Sequence, residues 1–319
     1  MIVAVAVALL SATVWAQQAS IPEIPYKASD PLKLPTGLYL GEAAGVALNS
    51  HGDIFVFSRS GKGPRLFEFD PNGNFMREIG QDLYGFYQAH AVRVDQDDNI
   101  WAVDEGTNTI TEFDPEGRVK MVLGRRWERV DGPPKQPGPG DAIPKPQPDR
   151  FNRETDVTWD KAGNIYVADG YNNSRVAKYD KDGHWLMAWG QRGTGPGEFH
   201  TVHSIAIDNE DHIYVGDREN KRIQVFDTDG RFLRQITGIG APWAICITPG
   251  SHQVLYSSDS VPGRIYKLDL DGKILGVFGK AGKQPGEFGW VHEIACPSEN
   301  TLYVAELLNW RVQKLVLGK

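Results

Sequence analysis

Short apolar segments alternate with polar turns along almost the whole chain. Each apolar segment is followed by an Asp/Asn/Gly turn, a segment such as IYVAD, a turn containing Asn, a segment such as RIQVFD and a DG-type turn. Apolar runs of about four to eight residues between such turns predict β-strands rather than helices. In RIQVFD the apolar Ile223, Val225 and Phe226 flank polar Gln224 and Asp227, as in a strand with one buried face. The pattern therefore predicts an all-β protein.

This order of strands and turns recurs six times. The units begin at Gly45, Ala91, Asp156, Ser204, Ala244 and Glu293. Successive starts lie 40 to 49 residues apart, except for one step of 65 that contains the Pro-rich segment 125–150, which is expected to be an irregular loop. Four short strands per unit at this spacing predict a six-bladed β-propeller. We expect this propeller to occupy residues 17–319 as a single domain.

The last unit is one strand short. It ends at RVQKLVLGK, without a fourth strand. An open ring would expose a sheet edge, which folded proteins avoid. We therefore expect residues before Gly45, around LPTGLYLGE (34–42), to supply the missing strand and close the ring.

Histidine appears at one repeated position in every second unit. The residues just before the six first strands are Ala44, His90, Thr155, His203, Trp243 and His292. The first strand of a propeller blade lines the central channel, and alternate blades of a six-fold ring are related by about 120°. Three imidazoles at one height would then converge on the axis and bind a metal ion with one position left open, as in catalytic zinc sites. Iron, cobalt, nickel or copper would also accept these ligands, so the metal identity stays open.

A second repeated position adds positive charge. The residue after the second strand is arginine in the first and fourth units, Arg59 and Arg218, which should face each other across the ring. One residue further along the third unit lies Tyr171. Two guanidinium groups near a metal suit a substrate that carries a carboxylate, because arginine binds carboxylates through bidentate hydrogen bonds.

Other polar residues recur in most units and therefore belong to the architecture. Aspartates end the second strands and asparagines occupy the next turn; a residue required by most repeats usually caps a turn or ties strands together. The positions are Asp104, Asp169, Asp217 and Asp259, with Asn108, Asn173, Asn220 and Asn309. The PGEF phrases at 196–199 and 285–288 receive the same interpretation.

The phrases PGEF…H and YVADxxNxRI resemble those of NHL-repeat propellers. Within that group, GVAL…FSR, HAV, DGYNNSRV, VHSIAI, DRENKRIQVF and VHEI resemble peptidyl-α-hydroxyglycine α-amidating lyases, over all six units. The resemblance implies a lyase that cleaves a peptidyl or N-acyl α-hydroxyglycine to the amide and glyoxylate. The substrate would be a small molecule or a peptide with a C-terminal α-hydroxyglycine, supplied by a separate hydroxylating enzyme, because this chain shows no hydroxylating domain.

The same resemblance assigns roles to individual residues. It implies that His90, His203 and His292 hold a catalytic zinc ion. It places Arg59, Tyr171 and Arg218 around the substrate, with the choice between Tyr171 and Arg59 as the base left open. It also implies a structural calcium ion bound by the carbonyls of Val46 and Val92 and by Glu293, where the family pattern has aspartate.

Composition limits the partners and the compartment. The chain of 319 residues has 40% hydrophobic and 24% charged residues and a net charge of −7, without a Lys/Arg block, which argues against nucleic acid. Residues 1–16 form an apolar stretch with the length of a signal-peptide core, so we expect a secreted or periplasmic protein and, in solution, a monomer. The two cysteines, Cys246 and Cys296, could form one bridge, and their pairing stays open.

Two other functions remain as alternatives. A three-histidine site could serve a different metalloenzyme that acts on a small substrate with a carboxylate. Alternatively, the propeller could be a secreted binding scaffold without catalysis, because the fold alone selects no function. A scaffold would bind no metal and would tolerate replacement of all three histidines.

Overall fold

The computed structural model describes residues 21–61, 63–83, 85–126 and 146–318. Within these residues, 24 strands form six sheets of four antiparallel strands each. The predicted signal peptide and most of the Pro-rich loop lie outside the described residues. The described part contains no helix long and apolar enough to cross a membrane.

The six sheets follow one another along the chain. β1 is Tyr26–Ser29. The first blade contains β2 Glu42–Leu48, β3 Ile54–Ser60, β4 Gly63–Phe69 and β5 Phe75–Ile79. The second contains β6 Ala89–Val94, β7 Ile100–Asp104, β8 Thr109–Phe113 and β9 Val119–Gly124. The third contains β10 Asp156–Trp159, β11 Ile165–Asp169, β12 Arg175–Tyr179 and β13 Trp185–Trp189.

The remaining three blades repeat this order. The fourth contains β14 Val202–Ile207, β15 Ile213–Asp217, β16 Arg222–Phe226 and β17 Phe232–Thr237. The fifth contains β18 Pro242–Ile247, β19 Leu255–Asp259, β20 Arg264–Leu268 and β21 Ile274–Phe278. The sixth contains β22 Val291–Ser298, β23 Thr301–Glu306 and β24 Arg311–Leu317, with β1 as its fourth strand. The six-bladed propeller predicted from the sequence is confirmed.

The hydrophobic core lies between neighbouring blades. Phe55 and Phe57 of the first blade, for example, pack with Val92 and Phe113 of the second. Because each sheet has a neighbour on both faces, its middle strands are buried on both sides. This explains why the one-sided burial expected for RIQVFD is not observed: Gln224 is fully buried, and its amide donates to the Glu198 carbonyl at 2.7 Å.

The ring closes through the N-terminal strand, as predicted, but the strand lies further upstream than expected. β1 pairs antiparallel with β24, with Tyr26 opposite Leu317. Segment 34–42 instead contains a turn in which the Leu38 amide donates to the Pro35 carbonyl at 3.0 Å. Pro35 has no amide hydrogen to donate and Gly37 has a φ of +84°, so neither residue suits a strand.

The recurrent PGEF turn that leads into the fourth blade and the recurrent aspartate of that blade form one network. The Glu198 carboxylate accepts from the Gly195 amide at 2.9 Å, and Arg222 Nη2 donates to the Glu198 carbonyl at 2.9 Å. The same arginine donates through Nε to Asp217 at 2.8 Å. Asp217 is fully buried and also accepts from the His200 amide at 2.7 Å. These contacts hold the turn against the second and third strands, so their role is structural.

Cys246 and Cys296 form a disulfide. It joins β18 of the fifth blade to β22 of the sixth, with Cα atoms 6.1 Å apart. The pairing that the sequence left open is therefore settled. Disulfides persist in oxidising compartments, and this bond is consistent with an extracytoplasmic protein.

Replacing both cysteines by serine is expected to lower the free energy of unfolding by about 4 kcal/mol. The disulfide spans 50 residues, and opening a loop of that length raises the conformational entropy of the unfolded chain. Chemical denaturation without a reducing agent measures the difference. Dithiothreitol should destabilise the wild-type protein and leave the double variant unchanged; equal sensitivity of the two proteins would contradict the prediction.

Candidate metal centre

Each of the three predicted histidines is the second residue of an innermost strand. His90, His203 and His292 belong to β6, β14 and β22, and in each strand the pairing register shifts across the histidine. Such a β-bulge leaves one residue unpaired and turns its side chain away from the regular alternation. The bulges therefore direct the three imidazoles towards the channel axis.

The three imidazoles meet in a buried triangle. Their ring centroids lie 4.5 Å apart for His90 and His292, 4.8 Å for His90 and His203, and 5.0 Å for His203 and His292. One ring nitrogen from each lies within 4.8 Å of the others. Each residue is at most 4% exposed. The convergence predicted from the repeat alignment is thus confirmed.

Backbone carbonyl groups fix the orientation of all three rings. The Nδ1 atoms lie 2.6 Å from the Thr155 oxygen for His90, 2.6 Å from the Trp243 oxygen for His203 and 2.8 Å from the Ala44 oxygen for His292. A carbonyl only accepts, so each Nδ1 carries the proton and each Nε2 keeps its lone pair. The three acceptors occupy the position equivalent to histidine in the odd-numbered blades, so even blades supply rings and odd blades supply carbonyls.

Burial keeps the triangle uncharged. It is the largest cause that lowers the pKa of each ring. Burial and the positive charges of Arg59 and Arg218 together bring the pKa of His292 to about 3. The buried Nε2 of His203 has no hydrogen-bond partner among the described residues. Three neutral imidazoles with inward lone pairs fit a metal ion, and carbonyl groups that accept from Nδ1 are typical of the outer shell of such sites.

Tyr171 lies beside the triangle. Its hydroxyl oxygen is 3.4 Å from His90 Nε2, and its ring centroid is 5.9 Å from that of His203. The guanidinium groups of Arg153 and Arg218 cover the ring at 4.7 and 5.4 Å. Burial, followed by the nearby Glu105 carboxylate, raises the pKa of Tyr171, so the hydroxyl group is protonated at neutral pH.

Arg59 and Arg218 both reach this region, as the repeat alignment predicted. Arg59 Nε donates to the Ala89 carbonyl at 2.7 Å, directly before His90. Arg218 lies over the ring of Trp243 at 4.6 Å, and that ring is 5.2 Å from the imidazole of His203. Two guanidinium groups and a phenol therefore lie near the triangle.

Sequence reasoning missed two residues that organise this positive charge. The side chain of Glu105 is 2% exposed, and its carboxylate lies 3.6 Å from Arg59 Nη2 and 2.9 Å from Arg153 Nη2. Glu105 occupies, in the second blade, the position that Arg59 occupies in the first. Opposite charges at one repeated position of neighbouring blades could have revealed the pair. Arg153 follows the Pro-rich loop, and no repeat pattern marks it.

The residues predicted to bind calcium lie together, and the Glu293 carboxylate among them contacts several hydrogen-bond donors. The amide nitrogens of Val46 and Val92 donate to one oxygen of Glu293 at 2.9 and 3.1 Å. The other oxygen lies 3.1 Å from Arg93 Nε. Calcium needs several oxygen atoms with lone pairs directed at the ion. Here the carboxylate is already shared between amide hydrogens and a guanidinium group.

One buried carboxyl group next to the site has no partner. Glu154 is fully buried, and neither of its oxygens accepts a hydrogen bond from another described residue. Burial raises the pKa of Glu154 well above its usual value, and the carboxylates of Asp169, Asp104 and Glu105 raise it further. The folded protein therefore holds this proton more tightly than the unfolded chain.

The replacement Glu154→Gln is expected to flatten the dependence of stability on pH. The raised pKa stabilises the folded state below the unfolded-state pKa of about 4.3, and this contribution is lost as the pH rises through the folded-state pKa. Melting temperatures at several values between pH 5 and 8 measure the slope. Glu210→Gln, at an exposed carboxylate, should follow the wild-type slope. Parallel curves for the wild type and Glu154→Gln would contradict the prediction.

Comparison with known proteins agrees with this geometry. A family model described as a 6-bladed beta-propeller matches residues 154–237. A protein of Caenorhabditis elegans named as a probable peptidyl-α-hydroxyglycine α-amidating lyase is 26% identical over 315 aligned positions, which cover 87% of this chain and 83% of that protein. A peptidylglycine α-amidating monooxygenase of Rattus norvegicus is 29% identical over 323 aligned positions, or 88% of this chain. The chain is therefore similar to the amidating lyases over most of its length.

The extent of these similarities differs between relatives. The chain spans only 31% of the length of the rat monooxygenase. Among solved structures, a streptogramin B lyase superposes with a TM-score of 0.61 at 14% identity, over 92% of this chain and 98% of that one. At that identity the likeness supports the fold alone. The resemblance to amidating lyases inferred from the sequence is confirmed at modest identity, together with a buried histidine cluster consistent with a metal site.

Proposed function

We propose that the protein is a zinc-dependent lyase that converts peptidyl or N-acyl α-hydroxyglycine to the amide and glyoxylate. The observation that carries the proposal is the triangle of His90, His203 and His292, with inward lone pairs and with Tyr171 and Arg218 beside it. Three nitrogen ligands with one position left open are typical of catalytic zinc. Homology to the amidating lyases supplies the substrate class.

The proposed reaction needs no oxidant or reductant. In R-CO-NH-CH(OH)-COO⁻ the hydroxyl group loses its proton, the C–O bond becomes a carbonyl, and the C–N bond breaks with its electron pair passing to nitrogen. The nitrogen then takes up one proton to give R-CO-NH₂, so no net proton is released. A bound zinc ion supplies Lewis acidity, which makes a hydroxyl group easier to deprotonate.

We assign the proton transfer to Tyr171, with Arg59 near it. The phenol oxygen is 3.4 Å from His90 Nε2 and therefore adjacent to the position of the metal, whereas Arg59 is held by the Ala89 carbonyl and lies 3.6 Å from Glu105. Tyr171, protonated in the resting protein, could donate its hydroxyl proton to the departing nitrogen and take up a proton from the substrate hydroxyl group. Arg153 and Arg218 over its ring stabilise the phenolate that would form in between.

Arg218 and Arg59 are assigned to the substrate carboxylate. Their side chains are only 13% and 20% exposed, and a carboxylate between them would be largely removed from water. Guanidinium groups in such surroundings bind a carboxylate through short, charge-assisted hydrogen bonds. Trp243, which lies against both Arg218 and His203, would form the wall next to the acyl group.

The test is to incubate the purified full chain, loaded with about one zinc ion, with a small N-acyl α-hydroxyglycine and to measure glyoxylate. Glyoxylate formed faster than in the protein-free solution supports the lyase. Its absence from zinc-loaded protein overturns the proposal. Turnover of lactones or other amides in a parallel panel would favour a different metalloenzyme, and a protein that binds no metal would favour the scaffold.

Three predictions from the sequence concern where the protein acts and with which partners. Secretion through residues 1–16, a monomeric state and a separate enzyme that hydroxylates the substrate remain proposals. The disulfide between Cys246 and Cys296 supports the extracytoplasmic location.

A further inference from the structure

A second buried layer lies in the channel directly below the histidine triangle. Arg93, Asp156 and Glu293 come from the innermost strands of the second, third and sixth blades. The side chains of the two acids are each 2% exposed, and that of Arg93 is 15% exposed. Charged groups at this depth require partners, because an isolated buried charge is strongly destabilising.

The guanidinium group of Arg93 contacts both acids. Its Nε and Nη2 atoms donate to the two oxygens of Asp156 at 2.8 and 2.6 Å. Nε also lies 3.1 Å from Glu293 Oε1. On its other edge, Nη1 reaches the Ile294 carbonyl at 3.4 Å. One flat cation therefore links three blades across the channel.

Backbone amides donate to one oxygen of each acid. Glu293 Oε2 accepts from Val46 and Val92, and Asp156 Oδ2 accepts from the Ile205 amide at 3.0 Å. Gly45 permits the approach of Glu293, because a Cβ atom at Gly45 would lie 2.5 Å from Glu293 Oε2. The innermost strands of the first, second and fourth blades thus provide hydrogen-bond donors to the two acids.

We infer that Arg93 is the built-in cation of this channel and stands where the resemblance places calcium. Its single positive charge already pairs with Glu293, the acid expected to bind the ion. A calcium ion at the same carboxylate would add two positive charges beside the guanidinium group, which repels it. The longer side chain of glutamate, where the family pattern has aspartate, reaches both the amides and Arg93. The protein should therefore need one metal ion, not two.

The layer also forms the floor of the metal centre. The space enclosed by the three histidines above and by Arg93, Asp156 and Glu293 below is about 10 Å³, room for about one water molecule. Arg93 therefore supports the triangle through packing and charge that stay in place without a second ion.

The first experiment uses the wild-type protein and does not depend on its activity. After equilibration with millimolar calcium and removal of free ions, elemental analysis should find no stoichiometric calcium. The melting temperature should be the same with millimolar calcium and with a calcium-selective chelator. One tightly bound calcium ion per chain, or a melting temperature lowered by the chelator, would overturn the inference.

The second experiment tests whether removal of the Arg93 guanidinium group allows calcium to bind at Asp156 and Glu293. Arg93→Ala leaves Asp156 and Glu293 without their cation, so the variant should melt well below the wild type and regain several degrees with millimolar calcium. Arg93→Lys keeps the charge and should show no calcium response, which preserves the test if the alanine variant fails to fold. Arg65→Ala, which breaks an ion pair with Glu78 in the outer part of the first blade, is the matched control and should not respond to calcium. An Arg93→Ala protein that folds but ignores calcium, or an Arg93→Lys protein that calcium stabilises, would contradict the inference.

Discussion

Replacement of His203 by alanine is expected to abolish both metal binding and glyoxylate formation. The ring supplies one of three inward nitrogen atoms, and two imidazoles cannot hold the ion in a three-point site. Loss of a residue that only orients a ligand already costs about 10- to 100-fold in metal affinity or activity, so loss of the ligand itself should cost more. Elemental analysis and the glyoxylate assay, carried out on the same protein preparation, measure the two effects together.

His200→Ala is the matched control for that experiment. His200 lies three residues upstream in the same PGEF phrase, but its Nε2 accepts from Arg192 at 2.8 Å rather than pointing into the channel. The control should retain full metal content and activity. If His203→Ala kept about one metal ion and wild-type turnover, the three-histidine centre would not be the active site.

Replacement of Tyr171 by phenylalanine should reduce kcat by a factor of about 10² to 10⁴ while the metal stays bound. The change removes a hydroxyl group and leaves the ring that packs between Arg153 and Arg218. That magnitude is typical of the loss of a general acid or base. KM should change little, because the arginines that bind the carboxylate remain. Steady-state kinetics with metal analysis separate the two effects.

Tyr179→Phe provides the comparison for a hydroxyl group outside the site. Tyr179 lies in β12 of the same blade, and its buried oxygen has no hydrogen-bond partner among the described residues. Its removal should leave kcat unchanged. A wild-type kcat for Tyr171→Phe would show that another group transfers the proton. Arg59 is the alternative that the sequence analysis left open.

The sequence predicts those features that repeat from blade to blade. Each unit has to build the same four strands, so turns and strands recur at one spacing and reveal the ring. His90, His203 and His292 could be found because equivalent first-strand positions lie at one height and one radius. Arg59 and Arg218 followed from the same superposition of units.

Features that depend on a single long-range contact could not be predicted from the sequence. The closing strand begins at Tyr26 and not near LPTGLYLGE, because its position depends on pairing with residues about 290 positions away and not on a local pattern. Arg93 and Glu293 are 200 residues apart and form an ion pair. The residues around each of them give no sign of this contact. The sequence gives no role to Glu105, whereas the fold places its carboxylate between Arg59 and Arg153.

At the metal centre, even blades supply imidazoles and odd blades supply the carbonyl groups that orient them. This alternation limits how the number of blades can change in evolution. A ring supplied by an even blade is held by a carbonyl from the odd blade that follows it, and His292 is held by Ala44 across the closure. The fold therefore repeats every blade, whereas the coordination chemistry repeats every two. Loss of one odd blade could still give a closed ring, but it would leave an imidazole without its acceptor. An even blade therefore contributes to the metal centre only together with the odd blade that follows it.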